Sequence, residues 1–167
     1  MWEVTTEAGF MACYRATFRE VYAYAGVLAG SNRSAAEDVV QDVYTAVLRK
    51  ARNGEVTSLS IGYFITAVRR RWIDMWRSSG REERSLQLVA APAANTTGPI
   101  DHASEAGLPT TMLQSLTDSE RAAVVLRYVD DMTVAEVAQH LGVSTRAAES
   151  TLSRALARLR RGDLRHA

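Results

Sequence analysis

The chain of 167 residues is 47% hydrophobic and carries 20 basic and 19 acidic residues, which gives a formal net charge of +1. This length suits one ordinary domain or two small ones, and this apolar share excludes disorder of the whole chain. Because the charges nearly cancel, bulk electrostatics alone does not hold the chain on a nucleic acid at physiological salt. Any affinity for DNA has to come from local patches or from a partner.

The cysteine count and the N-terminal residues indicate a compartment. Cys13 is the single cysteine, so no internal disulfide can form, and the chain suits a reducing environment. The opening stretch MWEVTTEAGF lacks the basic start and apolar run of a signal peptide, and no apolar run approaches the roughly 18 residues of a membrane span. We expect a cytoplasmic protein without membrane insertion.

Helical patterns dominate the first half of the chain. Apolar residues recur at three- and four-residue steps from Phe10 to Leu28, as on one buried helix face. Ser34 and Glu37 have the spacing of a capping box, so a second helix is predicted to start at Ser34. After the polar stretch RNGEVTSLS, a third helix is predicted over about residues 63–77.

A change in composition marks a boundary near residue 83. Residues 83–111 contain all three prolines and many small residues without sustained periodicity, so they predict a linker. A structureless stretch of this length is improbable inside one compact domain. We therefore expect a first domain at residues 1–82 and a second at residues 112–167.

The second domain is also predicted to be helical. Two more capping boxes, Thr117 to Glu120 and Thr133 to Glu136, mark helix starts. No strand pattern runs over a useful length, so the sequence predicts an all-α protein of two small helical domains joined by a flexible linker. The helix after the first box has an apolar face made by Val124, Val125, Tyr128 and Val129.

The stretch EVAQHLGVSTRAAESTLSRALARLRR, residues 136–161, has a helix-turn-helix pattern. Gly142 supplies the permissive backbone of a sharp turn, and Val143 is expected to fill the corner. Ser144 or Thr145 is expected to cap the next helix. An ordinary helical hairpin is the alternative. The residues expected to face inward are Ala148, Leu152, Leu156 and Leu159.

The outward face of this helix is a candidate reader of the major groove. Arginine can pair with guanine or phosphate, and glutamate can accept from the exocyclic amine of cytosine while it repels phosphate. A solvated helix charge is the alternative for Glu149. The outward candidates are Arg146, Glu149, Ser150, Ser153 and Arg154. Phosphate anchors beyond the reading helix are predicted at Arg158, Arg160 and Arg161.

Two helices of the first domain carry different polar faces. The second has an acidic stripe without lysine or arginine, which suits a protein-docking face better than DNA, although it could merely be solvated. The stripe consists of Asp38, Gln41, Asp42 and Thr45.

The third helix interleaves cations with indoles, as single-stranded nucleic acid binding requires. The alternative puts Trp72 and Trp76 in the core, and we favour it for at least one of them. The residues of this basic aromatic segment are Arg69, Arg70, Arg71, Trp72, Trp76 and Arg77.

Three stretches occur in a specific order: SAAEDVVQDVYTAVL, YFITAVRRRWIDMWR and LTDSERAAVVLRYVDDMTVAEVAQHLGVSTRAAESTLSRALARLR. In this order and spacing the chain resembles the extracytoplasmic-function group of bacterial RNA polymerase sigma factors, of the sigma-70 family. The resemblance covers almost the whole chain apart from the linker. It implies a factor that binds core RNA polymerase and directs transcription initiation at promoters.

The resemblance also implies roles for residues. Asp38, Gln41, Asp42 and, on the same stripe, Thr45 would dock on the clamp helices of the polymerase's largest subunit. The loop at residues 52–60 and the helix from Arg69 to Arg77, which includes Asp74, would capture and melt the minus-10 element. The minus-35 element would face Thr145, Arg146, Glu149, Ser150, Ser153 and Arg154.

Further expectations concern partners and departures from the family. The resemblance implies promoter DNA as a ligand and control by a dedicated anti-sigma factor, with the polymerase holding both domains at the right separation. Arg70 replaces a common asparagine, and Glu149 and Thr151 stand where basic residues are frequent. The first departure bears on the minus-10 preference, and the second predicts an atypical minus-35 sequence or a weaker dependence on it.

Other classes of function fit less well. A free-standing transcriptional regulator that binds its operator as a dimer is the main alternative, and an interaction module that no longer reads DNA is the third. No catalytic residue, metal site or cofactor is expected, because His102, His140 and His166 lack a paired carboxylate or cysteine at useful spacing and no glycine-rich phosphate loop occurs.

Overall fold

The structure, a computed structural model, describes residues 1–86 and 110–163. These residues fall into two compact units, one made mainly by the N-terminal helices and one by the C-terminal helices. The all-helical class with two small domains is therefore confirmed. Most of the predicted linker, residues 87–109, lies outside the described residues.

The first unit is built from α1 (Glu7–Ala29), α2 (Arg33–Arg52) and α3 (Ile61–Leu86). Its core is formed mainly by small and β-branched apolar side chains together with the buried aromatic side chains of Phe64, Tyr44 and Trp72. The third helix is longer than the predicted span of residues 63–77 and continues through residues 83–86, the first part of the predicted linker.

The start of α2 differs from the prediction. The N-cap is Asn32, whose side chain accepts from the backbone N of Ala35 at 3.1 Å. Ser34 therefore lies inside the first turn, and the predicted capping box was wrong. Glu37 instead accepts from Nε of Arg33 at 2.9 Å, one turn back on the same helix. Asparagine caps a helix as well as serine does, so residue type alone does not distinguish Asn32 from Ser34 as the start of α2.

A short antiparallel pair was not predicted. The strand β1 (Trp2–Glu3) pairs with β2 (Ser58–Leu59), with Trp2 opposite Leu59, and the pairing continues as Val4 N donates to Thr57 O at 2.9 Å. Two-residue strands are too short for an alternating pattern to reveal them.

The second unit contains α4 (Thr110–Leu113), α5 (Asp118–Val124), α6 (Val134–Leu141) and α7 (Thr145–Asp163). Both predicted capping boxes are present. At Thr133, the backbone N donates to Oε2 of Glu136 at 2.8 Å while Oγ1 accepts from the backbone N of Glu136 at 3.3 Å. The same reciprocal pair joins Thr117 and Glu120.

A turn of π-helix, Val125–Val129, follows α5. The wider turn changes which side chains face the core, because it adds a residue to the i to i+4 spacing. Tyr128, predicted on the apolar face, is 52% exposed, with the guanidinium of Arg127 at 5.6 Å from its ring centre. That part of the prediction was wrong.

Candidate protein and nucleic-acid interfaces

The helical hairpin of α6 and α7 has the predicted tight turn. Gly142 adopts a left-handed conformation with φ of +67°, and Val143 N donates to Ala138 O at 3.0 Å, which closes the end of α6. Ser144 is the cap of α7, because its Oγ accepts from Ala147 N at 3.2 Å. Val143 is 40% exposed, so it does not fill the corner as expected.

The inner face of α7 rests mainly on small residues. Ala148 and Ala155 are fully buried and Leu152 nearly so, which lets the neighbouring helices approach closely. The sequence prediction missed Ala155. It also placed Leu156 and Leu159 inside, where the structure leaves both half-buried.

The opposite face of α7 is open to solvent. Arg154 Nη2 donates to Thr151 Oγ1 at 3.2 Å, and this hydroxyl in turn donates to Ala147 O at 2.9 Å. Thr151 is therefore turned toward its own helix, whereas Arg154 is held in place on the exposed side. Glu149 has no ion-pair partner within the described residues. All six reading candidates are exposed: Thr145, Arg146, Glu149, Ser150, Ser153 and Arg154.

The three predicted phosphate anchors are not equivalent. Arg158 Nε lies 3.3 Å from Oε1 of Glu120, whose side chain is only 4% exposed and also takes part in the cap of α5. Arg158 therefore neutralises a buried carboxylate of its own domain. Arg160 and Arg161 are exposed and remain available to phosphate. Only the tertiary fold brings Glu120 to Arg158, so no local signal could have found this pair.

The acidic stripe of α2 is exposed along its length, at Asp38, Gln41, Asp42 and Thr45. It is not isolated from the basic segment. Arg71 on α3 donates from Nε and Nη2 to Oδ2 of Asp42, at 2.8 Å and 2.7 Å. A residue predicted to bind polymerase and one predicted to bind DNA are thus in direct contact.

The basic aromatic segment divides between the core and the surface. Trp72 and Ile73 are each 5% exposed, and Trp76 is half-buried. The core interpretation is therefore confirmed for Trp72, whose ring is not accessible for base stacking. Among the other candidates, Arg69 and Arg77 are half-buried, and the exposed ones are Arg70, Arg71 and Asp74.

A groove of about 750 Å³ lies between α2 and α3. It contains two residues that the sequence prediction missed, Lys50 and Tyr63, and the Nζ of Lys50 donates to the hydroxyl of Tyr63 at 3.2 Å. Lys50 is one of three basic residues in the last turn of α2, and the helix dipole explains basic residues there equally well. The sequence therefore holds no distinct signal for this groove. The groove is lined further by Asp42, Thr66, Ala67, Arg70 and Arg71.

Two buried groups with raised pKa values, Tyr44 and Cys13, lie away from these exposed faces. Burial raises the pKa of Tyr44 to about 12, while its hydroxyl lies 2.8 Å from Oγ1 of the buried Thr17. Burial likewise raises the pKa of the Cys13 thiol. Within the described ranges, no cluster of histidine, cysteine and acidic residues could hold a metal, and no helix is long and apolar enough to cross a bilayer. The exposed polar faces of α2, α3 and α7 therefore present charged side chains that could contact a protein or DNA.

Two family models match this chain: Sigma-70 region 2 over residues 13–82, and Sigma-70, region 4 over residues 110–159. The chain is 32% identical over 126 residues to RNA polymerase sigma-E factor of Streptomyces coelicolor, across 75% of this chain and 70% of that protein. The chain belongs to the sigma-70 family of RNA polymerase sigma factors.

Other relatives refine the group. The chain is 29% identical over 137 residues to ECF RNA polymerase sigma factor SigK of Mycolicibacterium vanbaalenii, across 75% of this chain and 67% of that protein. The sigma factor RpoE from Bartonella quintana, solved in complex with the anti-sigma factor NepR, has a similar fold, with a TM-score of 0.52 and 23% identity over 91% of this chain and 94% of that one. This sigma factor is of the extracytoplasmic-function group, and its function is promoter-directed initiation of transcription.

Proposed function

We propose that this sigma factor divides promoter recognition between its domains as the sequence predicts. Residues 1–82 bind core polymerase and capture the minus-10 element, residues 112–167 read the minus-35 element, and residues 83–111 join them. The polymerase sets the separation of the two domains. This arrangement lets a chain with a net charge of only +1 use DNA contacts that are too weak to act alone.

The polymerase-docking face in this proposal is the acidic stripe on α2, which faces the clamp helices of the largest subunit. Its exposure along two turns and its lack of cations support a protein partner over DNA. Asp42 contributes together with its neighbour Arg71, so the docking face borders the DNA face. The docking residues are Asp38, Gln41, Asp42 and Thr45.

The minus-10 face consists of the basic aromatic segment with the loop at residues 52–60. The exposed guanidinium of Arg70, on the rim of the groove, is suited to the phosphates of a single strand, and the half-buried Trp76 offers an indole. Trp72 supports this face from the core. The exposed members of this face are Arg70, Arg71 and Asp74, and the half-buried ones are Arg69, Trp76 and Arg77.

The minus-35 face is the outward side of α7. Glu149 accepts from the exocyclic amine of a cytosine, and Arg154, already oriented by Thr151, pairs with guanine or phosphate. Arg160 and Arg161 anchor phosphates, whereas Arg158 stabilises the domain through Glu120. The remaining members are Thr145, Arg146, Ser150 and Ser153.

The observation that carries the proposal is the segregation of charge on the first domain. An acidic stripe without cations and a helix rich in arginine lie side by side and touch at Asp42 and Arg71. A surface for nucleic acid alone gives no reason for a separate acidic stripe without lysine or arginine, because such a stripe repels phosphate along its whole length. Two neighbouring partners, a protein and a DNA strand, account for both faces.

The test is run-off transcription with sigma-free bacterial core RNA polymerase on a library of genomic fragments, with and without the protein. Discrete transcripts that depend on the protein support the proposal, and their aligned upstream sequences identify the two elements. Absence of transcripts, together with failure to co-migrate with core enzyme, would overturn it and favour a dimeric regulator with a symmetric operator.

Control of the factor follows from the same faces. We infer that a dedicated anti-sigma factor masks the polymerase-docking face, as the pairing of the Bartonella quintana sigma factor with an anti-sigma factor suggests by analogy. The protein acts in the cytoplasm with the polymerase and contributes no catalytic residue or cofactor of its own. A binding titration of a candidate anti-sigma factor tests this inference. Asp38→Lys should weaken the binding of the anti-sigma factor as well as that of core polymerase, and unchanged binding of the anti-sigma factor would contradict it.

A further inference from the structure

The loop between α2 and α3 is held at its two ends by the helices and in its middle by the N-terminal segment. Near α2, Glu55 N donates to Lys50 O at 2.9 Å, and near α3, Tyr63 N donates to Ser60 O at 3.1 Å. Between these points, the backbone bond from Val4 N to Thr57 O and the pairing of β1 with β2 fix the chain.

This attachment is built into the fold rather than left on the surface. Val4 is 2% exposed and Leu59 is 6% exposed, so an apolar side chain from each segment is buried beside the pairing. The segment then enters α1 directly: Thr6 Oγ1 accepts from Gly9 N at 3.1 Å, as at a helix N-cap. β1 is therefore fixed to a long helix only a few residues away.

Gly9 reveals how closely β1 lies against α1. A Cβ added at Gly9 would stand 2.5 Å from the backbone O of Glu3, a separation that real Cβ atoms do not show. Because the contact is with backbone, no side-chain rotation can relieve it, and β1 or the helix has to move. The absence of a side chain at this position is required for β1 to reach the loop.

We infer that the segment Trp2–Val4 positions the loop at residues 52–60 and thereby sets how well this sigma factor captures the minus-10 element. The inference rests on the minus-10 role proposed for that loop. A loop that carries a DNA contact has to present it at a fixed place, because a misplacement of about 1 Å can cost a large part of a site's effect. Trp2–Val4 touch no DNA in this account and act only through the loop.

The experiment compares two glycine-to-alanine variants of the same helix in holoenzyme assembled with core polymerase. Both changes raise helix propensity, but a Cβ at Gly26 meets nothing within 4 Å, so Gly26→Ala is the matched control for Gly9→Ala. The templates are the strongest promoter recovered by run-off transcription, once as a duplex and once with its minus-10 element already unpaired by mismatches. Melting of each variant by circular dichroism and binding to core polymerase are measured in parallel.

We expect Gly9→Ala to lower transcription from the duplex promoter by about tenfold. The loss should be smaller on the unpaired template, and binding to core polymerase should stay unchanged. Gly26→Ala should match wild type in transcription from both templates and in binding to core polymerase, and its melting temperature should not fall. A variant that begins at Thr6, and so lacks β1, should repeat the Gly9→Ala pattern, which separates the role of β1 from a defect in α1.

A third variant, Val56→Gly with Thr57→Gly, loosens the loop itself while it keeps the carbonyl at residue 57. If it loses duplex transcription but Gly9→Ala and the shortened chain behave as wild type, this inference is overturned and the proposed function stands. If the loop variant is fully active, the minus-10 role of the loop is wrong. Equal loss on both templates together with weaker core binding would mean that β1 only stabilises the domain, which would also overturn the inference.

Discussion

The two domains of this sigma factor present their recognition residues in different ways. On the first domain, Asp42 and Arg71, which are assigned to different partners, are joined to each other across two helices. On the second, Glu149 of the proposed reading face has no ion-pair partner among residues 1–86 and 110–163. Arg154 on the same face is held by a hydrogen bond to Thr151 of its own helix. The first domain couples its proposed docking and minus-10 surfaces, whereas the second keeps its proposed reading face separate.

This difference has a physical consequence for substitutions. A change on the outward face of α7 should alter base preference and leave the domain intact, since those side chains contact little else. A change between α2 and α3 should affect more than one partner, because Asp42 and Arg71 share an ion pair. The following predictions test that contrast from the largest expected effect to the smallest.

Charge reversal in the acidic stripe should have the largest effect. We expect Asp38→Lys to weaken binding to core polymerase by about 3 kcal/mol or more, a loss of roughly a hundredfold in affinity, because it places like charges across the interface. All promoters should lose transcription together. The control is Glu20→Lys, which makes the same reversal of charge at an exposed residue of α1. Equal losses of core-polymerase affinity for the two variants in a binding titration would contradict the docking role of Asp38.

Loss of Glu149 should change base choice rather than overall activity. We expect Glu149→Ala to relax discrimination at one promoter position by about 1 to 3 kcal/mol. Arg160→Ala, by contrast, should weaken all promoters alike and lower the salt dependence of binding. Competition among promoter variants with single base changes measures both. Uniform loss for Glu149→Ala would remove it from the reading face.

Arg158 has been predicted from sequence as a phosphate anchor, and the ion pair with Glu120 changes the expected result. Arg158→Ala leaves the buried carboxylate of Glu120 without its ion-pair partner. The second domain should therefore become less stable even when no DNA is present. A lowered melting temperature in the absence of DNA, which Arg160→Ala should not produce, distinguishes the two arginines.

The cap of α6 makes a pH-dependent contribution. Hydrogen bonds from the side chain and the backbone of Thr133 hold the pKa of Glu136 below its ordinary value. Since the folded-state pKa is lower than the unfolded one, this stabilisation is complete above the unfolded value and is lost as the pH falls through the folded one. Thr133→Ala should cost about 1 kcal/mol near neutral pH.

Denaturant unfolding of Thr133→Ala and wild type across acidic pH checks this account. The gap between the two free energies of unfolding should narrow as the carboxylate of Glu136 becomes protonated. A gap that stays constant to the lowest pH at which both chains fold would show that Glu136 takes no part in the cap.

The ion pair between α2 and α3 should contribute least to stability. Both side chains are about half exposed, at 48% for Arg71 and 50% for Asp42, so solvent screening leaves a coupling of about 0.2 to 1 kcal/mol in a double-mutant cycle. We still expect Asp42→Asn and Arg71→Ala to be non-additive in transcription. Strict additivity there would mean that the docking and minus-10 faces act independently.

The sequence was sufficient where local chemistry decides the structure. The capping boxes at Thr117 and Thr133 and the left-handed turn at Gly142 depend on residues within a few positions, and all three are present. The start of α2 was misplaced because Asn32 and Ser34 are equivalent caps, and only the surrounding packing decides between them.

Contacts between distant residues were beyond the sequence. The pairing of Val4 with Thr57, the ion pair of Asp42 with Arg71 and the burial of Glu120 under Arg158 depend on how elements pack, which no periodicity encodes. The exposure of Tyr128 follows from a π-turn that changes helix phase within a few residues. Sequence patterns predicted the polar faces of α2, α3 and α7, and tertiary contacts decide which of their side chains remain exposed.

The most direct test of the central claim is the affinity for a recovered promoter fragment, measured by fluorescence anisotropy at physiological salt with and without core polymerase. The account predicts tight, sequence-specific binding only when core polymerase is present, because a chain with a net charge of +1 lacks the electrostatics to bind alone. Specific binding of equal strength by the protein alone, at a two-fold symmetric site, would contradict it.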